Sequence, residues 1–442
     1  MPTTDEVFGI QNKPVLSYVD RDSVDGKFQA ALNSDHHIVV YGSSKQGKTS
    51  LRQKYIADKK CVIIRCAPKM TTESIYSSIL RQAGIKIQTI ETSGETLTGT
   101  LTTKVGFKAI IPWLGGVKSE TGISAEEEKQ SGLTQEFVAF DFSEAQSIGE
   151  LLQAVSFDQF VVLENFHYLS SETQQQLAYD LKTFHEISVR FIILGIWWEA
   201  NHLITYNGDL QERIIEVPVE PWDAEDFRRV TTKGAKLLQV SVESSITELF
   251  IKNSYGNVGM FQEFLKTFCF LNGVDQTKDG WELRNSDSAE RTLGVKATSQ
   301  RGQLLKTLQG IAANSRVRSN EGDPLLLPYY LVLVICKTAV EQLQEGFDKN
   351  LLLQLLREVH HRTDKETIRI GDVTNLFTRL PAIQMGIQPP FLYYDSNSRR
   401  LRIVDTRYFF VLANIKRDEL ADEISYPREE MQPLSSQTPK LL

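Results

Sequence analysis

Short, mostly apolar segments alternate with amphipathic ones along the first half of the chain. Five of them have the length and composition of strands: HIVVYG (37–42), CVIIRC (61–66), FVVLE (160–164), RFIILGI (190–196) and IIEVPV (214–219). Strands that are apolar on both faces and alternate with helices are typical of a parallel sheet covered on both sides. The pattern therefore predicts an α/β core over residues 31–220.

Two of the intervening helices have recognisable ends. The first, at 71–84, begins at its threonines and ends at Gly84. The second, at 170–187, carries a capping-box pattern in which Ser171 is followed three residues later by Gln174.

Residues 85–142 interrupt the alternation of strands and helices. They are rich in Thr, Gly and charge, which indicates an insertion of β-hairpin material followed by a mobile acidic stretch at 125–132. Segment 110–116, IIPWLGG, is too apolar for a solvated loop. Its Trp113 suits either a contact with another protein or packing on its own domain.

The second half of the chain is mainly helical. A helical lid is predicted at 221–273, starting from a cap on Asp223, and a polar linker follows at 274–292. Residues 289–416 then form a helical and winged-helix-like domain. The acidic, proline-containing segment 417–442 predicts a disordered tail.

The winged-helix prediction depends on the order of elements near the end of that domain. Two amphipathic helices, 350–362 and 371–385, precede two short strands, 391–395 and 400–405. Asp372 is the expected cap of the second helix.

A phosphate-binding motif occupies residues 42–49, where GSSKQGKT fits G-x-x-x-x-G-K-[ST] between a strand and a helix. Its glycines let backbone N–H groups turn toward phosphates, Lys48 would reach the β and γ oxygens, and the Thr49 hydroxyl would ligand Mg²⁺. The sequence therefore predicts the cofactors ATP and Mg²⁺, with the nucleotide bound by Gly42, Ser43, Ser44, Lys45, Gln46, Gly47, Lys48, Thr49 and Ser50.

Glu164 is the expected acidic partner of this loop. It ends the apolar strand FVVLE, where an acid can hold the metal directly or through water. Asn165 follows it, although such strands more often end in two acids. An amide can orient water but cannot take its proton, so strong ATP binding and slow hydrolysis are expected.

These motifs together resemble the AAA+ ATPases, in the branch containing archaeal and eukaryotic origin-binding initiators and the STAND signalling NTPases. Residues 17–25, SYVDRDSVD, resemble the N-terminal nucleotide-sensing segment of that branch, often F-V-G-R-E, with Asp20 in place of the glycine. The resemblance implies that Tyr18, Val19 and Arg21 lie near the adenine, within a sensing segment at 1–30. A solvated turn is the alternative for this short match.

ENFHYL (164–169) is similar to the D-D-x-H-x-L form of STAND-like bacterial ATPases, in which the second acid polarises the attacking water. Asn165 stands at that position here. His167 could assist, although a histidine at the end of a buried strand is more often structural.

The chain also departs from the resemblance at its sensor positions. The fourth strand ends without a polar sensor, Gly195 and Trp197 standing there instead, with Asn201 as the nearest candidate. In SYGNVGMFQ (254–262), Gly259 occupies the place of the second sensor's arginine. Arg213 stands where the resemblance implies an arginine finger for a neighbouring subunit, the alternative being a surface salt bridge.

Charge limits the partners that can be expected. The chain of 442 residues has 49 basic and 56 acidic residues and a net charge of −7, so any DNA contact must be local. Residues 349–410 are mildly basic, and Arg399 and Arg400 at the hairpin turn are the predicted DNA-binding residues. The predicted recognition helix offers few side chains for reading bases.

Three further features bear on the location of the protein. No basic region followed by an apolar run marks the N-terminus as a secretory signal. The longest apolar run, 325–336, is too short to span a bilayer. Four cysteines lie in apolar segments, which predicts buried, reduced thiols and a cytoplasmic protein without a membrane association.

Three functions follow as hypotheses. The first is an ATP-gated switch that forms a homo-oligomer; the resemblance implies a role in bacterial defence against phage or plasmids with a separately encoded effector protein. The second is a DNA-binding loader, similar to replication initiators or transposon target-selection ATPases, that acts on double-stranded DNA. The third, a catalytic NTPase with rapid turnover, is disfavoured by Asn165.

Overall fold

The computed structural model describes residues 1–9, 13–95, 101–112, 126–130, 133–197, 200–315, 324–395 and 398–427. By their contacts the residues form two compact units. We call the first the core unit (Asp20–Gly42 and Gly47–Glu220) and the second the helical unit (Met1–Val19, Ser43–Gln46 and Pro221–Leu442).

The strands are β1 (His37–Tyr41), β2 (Cys61–Arg65), β3 (Lys86–Glu95), β4 (Leu101–Pro112), β5 (Glu126–Gln130), β6 (Leu133–Phe140), β7 (Phe160–Glu164), β8 (Phe191–Gly195), β9 (Ile214–Pro218), β10 (Val240–Val242), β11 (Trp281–Leu283), β12 (Leu392–Asp395) and β13 (Arg400–Ile403). The helices are α1 (Thr4–Phe8), α2 (Lys27–Leu32), α3 (Lys48–Tyr55), α4 (Thr72–Gln82), α5 (Ala145–Ala154), α6 (Ser171–Glu186), α7 (Ala224–Leu238), α8 (Ser244–Ser254), α9 (Val258–Leu271), α10 (Ser286–Ala313), α11 (Leu327–Lys337), α12 (Val340–Glu345), α13 (Lys349–Val359), α14 (Ile370–Ile383), α15 (Arg407–Ala413) and α16 (Arg417–Asp422).

The core unit is built on a parallel five-stranded sheet in the order β2-β7-β8-β1-β9. Its strands are the five predicted from the apolar segments, and apolar clusters cover both faces of the sheet. The carboxyl ends of parallel strands meet at one edge. The loop after β1, the end of β7 and the end of β8 therefore share the edge at which such sheets bind ligands.

A buried histidine, His37, fastens the opposite edge. Its Nδ1 accepts the N–H of Phe191 at 3.0 Å, so its Nε2 carries the proton and donates to the carbonyl of Leu181 at 2.8 Å. Burial lowers the pKa of His37 to about 4. The ring is therefore neutral at physiological pH and serves to join β1 to β8 and α6.

The insertion between α4 and α5 forms an antiparallel sheet in the order β3-β4-β6-β5. The expected hairpin is present as β3 and β4. The acidic stretch at 125–132 was expected to be mobile, but its residues 126–130 form β5 and pair with β6. Backbone pairing, which composition does not report, explains the difference. Trp113 lies outside the described residues.

Helix caps differ from the sequence prediction at two places. Helix α6 is capped by Ser170, whose hydroxyl accepts the N–H of Thr173, and Gln174 donates to the carbonyl of Leu169. Helix α14 begins at Ile370, so Asp372 lies inside the first turn and accepts the N–H of Arg369. The N-caps are thus Ser170 and Arg369, and the polar side chains of Gln174 and Asp372 reach back to the start of the helix from three or four residues further on.

The helical unit contains α1, the tip of the phosphate loop at Ser43–Gln46, and the chain from Pro221 onward. The segment predicted as a linker, 274–292, contributes β11, which pairs with β10, and the start of α10. Within the predicted disordered tail, residues 417–422 form α16, because Leu420 and Ala421 bury their side chains. Residues 428–442 lie outside the described part.

Near its C-terminus this unit has two helices, α13 and α14, followed by the antiparallel hairpin β12–β13. Phe347, which precedes α13, exchanges two backbone hydrogen bonds with Leu401 of β13 at 2.9 and 2.8 Å. The predicted order of two helices and a hairpin is therefore present.

All four cysteines are buried and unpaired, as predicted. Among the residues that the structure describes, no helix combines the length and apolarity needed to cross a bilayer.

Candidate nucleotide site

The phosphate loop follows β1 with the backbone that its motif requires. Gly42, Lys45 and Gly47 have φ angles of 144°, 61° and 86°, so three residues of the loop lie outside the right-handed region. At Gly42 an added Cβ would also lie 2.8 Å from a methyl of Val219. Helix α3 starts at Lys48, and its N-terminus faces the place where phosphates bind in such loops. The Lys48 ammonium donates to the carbonyl of Gly42 at 2.8 Å.

The tip of this loop, Ser43–Gln46, is held from outside by the start of α9. Gln46 is fully buried, and its Nε2 donates to the carbonyl of Gly256 and to the Ser43 hydroxyl, both at 3.1 Å. The N–H of Gly259 donates to the carbonyl of Lys45 at 3.1 Å. Gln46 therefore shapes the loop with its side chain, which leaves backbone groups as its means of contacting a nucleotide.

Asn257 connects the loop to the start of α15, just after the C-terminal hairpin. Its amide Nδ2 donates to the carbonyl of Ser44 and to the hydroxyl of Thr406, both at 3.0 Å. Its Oδ1 accepts the N–H of Met260 and so caps α9. One fully buried side chain thus joins the phosphate loop, α9 and the residues after β13 within the helical unit.

The close contact between α9 and the phosphate loop explains why glycine stands at the second sensor position. A Cβ on Gly259 would lie 2.5 Å from the Cβ of Lys45 and 2.9 Å from its carbonyl oxygen. An arginine there would overlap the phosphate loop in this conformation.

Glu164 lies at the end of β7, as predicted, but its carboxylate is paired with arginines. Oε1 is 3.2 Å from Nη2 of Arg52 on α3, and Oε2 is 3.5 Å from Nε of Arg65 on β2. The exposed Thr49 hydroxyl is suited to hold a Mg²⁺ ion beside phosphates. Glu164 does not fit that role in this arrangement, because each of its oxygens already faces a guanidinium.

Asn165 and His167 form the turn after Glu164. Asn165 is exposed and left-handed, with φ 59° and ψ 36°, a conformation that asparagine tolerates better than most residues. The two ring nitrogens of His167 are buried and make no hydrogen bond with the described residues. Burial and the charge of Lys48 lower the pKa of His167 to about 3, so it is neutral and weakly basic.

Trp197 fills the space where a polar sensor would stand at the end of β8. Its ring stacks on Tyr41 at 6.0 Å between centroids and meets the edge of Phe166 at 6.2 Å. A Cβ on Gly195 would lie 1.5 Å from the same indole, so the glycine makes room for it. The nearest candidate, Asn201, is exposed and uses its backbone N–H to bind the Glu216 carboxylate at 2.7 Å.

The predicted sensing segment is divided between the two units. Tyr18 and Val19 belong to the helical unit, whereas Arg21 is buried in the core unit, its N–H donating to the Asp25 carboxylate at 2.9 Å. Asp25 in turn accepts from the Tyr55 hydroxyl of α3 at 3.0 Å. The segment after Asp20 is therefore tied to the helix that follows the phosphate loop.

Arg213 lies just before β9, at the edge of the sheet opposite to the phosphate loop. Its Nη1 donates to the carbonyl of Asp209 at 2.6 Å, and Nη2 lies 3.7 Å from the Glu186 carboxylate. An arginine at this edge cannot serve the loop of its own core unit, so the finger role requires a neighbouring chain.

The two arginines predicted to bind DNA have different environments. Arg400 donates to the carbonyls of Glu345 and Gly346, both at 3.2 Å, and so caps the end of α12. Arg399 is exposed at the hairpin turn. Arg400 is thus bonded within the fold and Arg399 is open to solvent, and their DNA-binding role stays a prediction.

Sequence reasoning missed Arg52, Asn257 and Thr406. Arg52 is signalled only by its position one turn after Thr49, and Asn257 only by its place in the sensor-like segment. Thr406 has no sequence signal, because it lies 149 residues from Asn257.

No protein-family model and no curated protein matches the chain. Among solved structures, it is similar to the Walker-type ATPase of Pyrococcus abyssi, with 15% identity, 92% of this chain and 99% of that chain covered, and a TM-score of 0.46. The Orc1 protein of Aeropyrum pernix, solved in complex with DNA, gives 11% identity, 89% and 91% coverage and a TM-score of 0.37. The RuvB Holliday junction branch migration motor of Thermotoga maritima gives 13% identity, with 88% of this chain and 94% of that chain covered, and a TM-score of 0.38.

The fold class itself is carried by the strand order and phosphate loop of this chain. The core unit has the parallel α/β fold of the P-loop NTPases.

Proposed function

We propose that the protein is an ATP-binding AAA+/STAND-like switch that oligomerises in response to nucleotide. The main support for this proposal is the set of hydrogen bonds between residues 256–259 and the phosphate loop. A loop whose outer carbonyls are bonded to α9 and, through Asn257, to Thr406 cannot change shape without disturbing both. A ligand with different affinities for two loop conformations would therefore also favour one arrangement of α9 and Thr406 over another.

Slow hydrolysis is part of the proposal. The exposed amide of Asn165 has no proton-accepting group, and His167, with a pKa of about 3, is a poor base at neutral pH. Glu164 is occupied by arginines. ATP would be bound by the loop, with Mg²⁺ held by Thr49 and the phosphates. The bound ATP would be hydrolysed slowly, so the protein would spend most of its time in the ATP-bound state.

Oligomerisation would bring Arg213 of one chain to the γ-phosphate of another. Its present partners are one backbone carbonyl, at 2.6 Å, and a carboxylate 3.7 Å away, whereas a phosphate could accept two charge-assisted hydrogen bonds from the same guanidinium. The defence role with a separately encoded effector extends this proposal through the resemblance alone. Its test is whether a phage-protective operon loses protection when Lys48→Ala is introduced.

The direct test is the mass of the purified protein in solution with ADP, ATP and a non-hydrolysable ATP analogue. We expect ATP and the analogue to raise the mass to a defined oligomer and ADP to leave it low. Lys48→Ala should remain at the low mass in all conditions, and Arg213→Ala should bind ATP without assembling. A monomer of unchanged mass in every condition would refute the proposed switch.

A DNA-binding loader is the second candidate. The order α13, α14, β12–β13, with Phe347 paired to β13, is that of a winged helix, and exposed Arg399 at its turn suits a phosphate contact. Duplex binding should then need ATP, weaken with salt and fall on Arg399→Ala. Absence of duplex binding with ATP at low salt would exclude this candidate.

A further inference from the structure

Arg52 is a buried arginine with no place in the phosphate-loop motif. Its side chain is only 2% exposed, although it lies on α3 just three residues after Thr49. Nη2 is 3.2 Å from Oε1 of Glu164, and Nη1 pairs with Asp58. A buried guanidinium requires a nearby negative charge, and of these two acids only Glu164 is itself buried.

The pairing uses the acid that the fold would otherwise offer to a metal ion. Arg65 takes the second oxygen of Glu164 from an exposed position, its side chain 75% accessible. Three cations, Arg52, Arg65 and Lys48, stand at this edge of the sheet. Freeing the Glu164 carboxylate for a cation would leave Arg52 buried with only an exposed partner, which is unfavourable.

We propose that Arg52 is a positioning residue that withholds Glu164 from the metal, so that ATP binding to this loop depends only weakly on Mg²⁺. The proposal rests on the proposed function in one respect, namely that the loop binds ATP. It goes beyond it by assigning the weak metal dependence to one ion pair.

The experiment is a double-mutant cycle on nucleotide affinity. A fluorescent ATP analogue is titrated into wild type, Arg52→Met, Glu164→Gln and the double variant, each with excess Mg²⁺ and with excess EDTA. In wild type and Glu164→Gln, we expect Mg²⁺ to change Kd less than about threefold. In Arg52→Met, it should tighten binding about tenfold, or about 1.4 kcal/mol, because Glu164 is released. The double variant should return to the wild-type ratio.

Two controls separate this effect from folding damage. Arg65→Gln removes the exposed arginine from the same carboxylate and should leave the Mg²⁺ ratio within about twofold of wild type. Thermal melting identifies any variant that is not folded, and the double variant, which removes both charges together, is expected to fold even where Arg52→Met is weakened.

The outcomes are distinguishable. A strong Mg²⁺ dependence in wild type that Glu164→Gln abolishes would overturn the proposal, because Glu164 would then hold the metal with Arg52 in place. An unchanged ratio in folded Arg52→Met would overturn it as well. If the analogue binds none of the proteins in either condition, the proposed function itself fails.

Discussion

The contact between α9 and the phosphate loop gives a sharp prediction for Gly259→Ala. At the present backbone, the new methyl would lie 2.5 Å from the Cβ of Lys45 and 2.9 Å from its carbonyl oxygen. Non-bonded carbons pack at about 3.5–4.0 Å, so the loop and the helix must separate by about 1 Å. Both contacting atoms belong to the loop at or beside its backbone, which cannot rotate away as a side-chain tip could.

The magnitude follows from three contributions. Overpacking costs about 1–3 kcal/mol, and losing the hydrogen bond from Gly259 to Lys45 costs about 0.5–1.5 kcal/mol. Alanine recovers about 1 kcal/mol through its better helix propensity. The net cost is about 0.5–3.5 kcal/mol, and its middle value of about 2 kcal/mol should weaken ATP binding about 30-fold. The reason is that the loop carbonyls would lose their hydrogen-bond partners at the start of α9. The loop N–H groups would then lose the orientation in which they contact phosphates.

The assay is calorimetric titration of ATP, paired with thermal melting. Gly294→Ala is the matched control, because Gly294 lies in the middle of α10 and an added Cβ there meets nothing within 4 Å. It should melt higher than wild type and bind ATP equally well. If Gly259→Ala behaves like Gly294→Ala in both measurements, then α9 does not contact the phosphate loop in solution, and the proposed coupling between them is refuted.

Three other substitutions test the remaining parts of the site. Asn165→Asp supplies a general base and should raise ATP turnover at least about tenfold, measured as phosphate release; an unchanged rate would place the base elsewhere. His37 has a pKa of about 4 when folded and 6.5 as its reference, so the unfolded chain takes up the proton first and stability falls as pH drops through that window. His37→Gln should therefore flatten the fall of melting temperature between pH 6.5 and 4, and a parallel curve would contradict this. Arg400→Ala should cost about 1–3 kcal/mol of unfolding free energy in a denaturant titration, whereas exposed Arg399→Ala should cost none; equal losses would refute the distinction.

Asn257 links the phosphate loop to the C-terminal part of the helical unit. It bonds a loop carbonyl and the hydroxyl of Thr406 with a single amide group, so the loop and the start of α15 share a hydrogen-bond donor. A fully buried amide that lost either partner would bear a desolvation cost of about 1–3 kcal/mol. Changes at the loop are therefore expected to be felt at the end of β13.

Elements with a local signal could be predicted from the order of residues alone. Continuous apolar runs marked the five strands of the parallel sheet, and glycine and lysine spacing marked the phosphate loop, because strand burial and a left-handed turn each constrain a few consecutive residues. The position of Glu164 at a strand end followed from the same run. Helix caps were less certain, since Ser170 and Ser171 carry equivalent hydroxyls and only backbone angles choose between them.

The contacts of those residues became visible only in the folded chain. Arg52 and Glu164 are 112 residues apart, and Ser44 and Asn257 are 213 apart, so no local pattern reports either pair. Gly259 and Gly195 looked like missing sensors in the sequence; in the fold, Lys45 and Trp197 occupy the space that a side chain would need. Chemistry at a strand end depends on which distant side chain reaches it, and packing of the whole chain determines that.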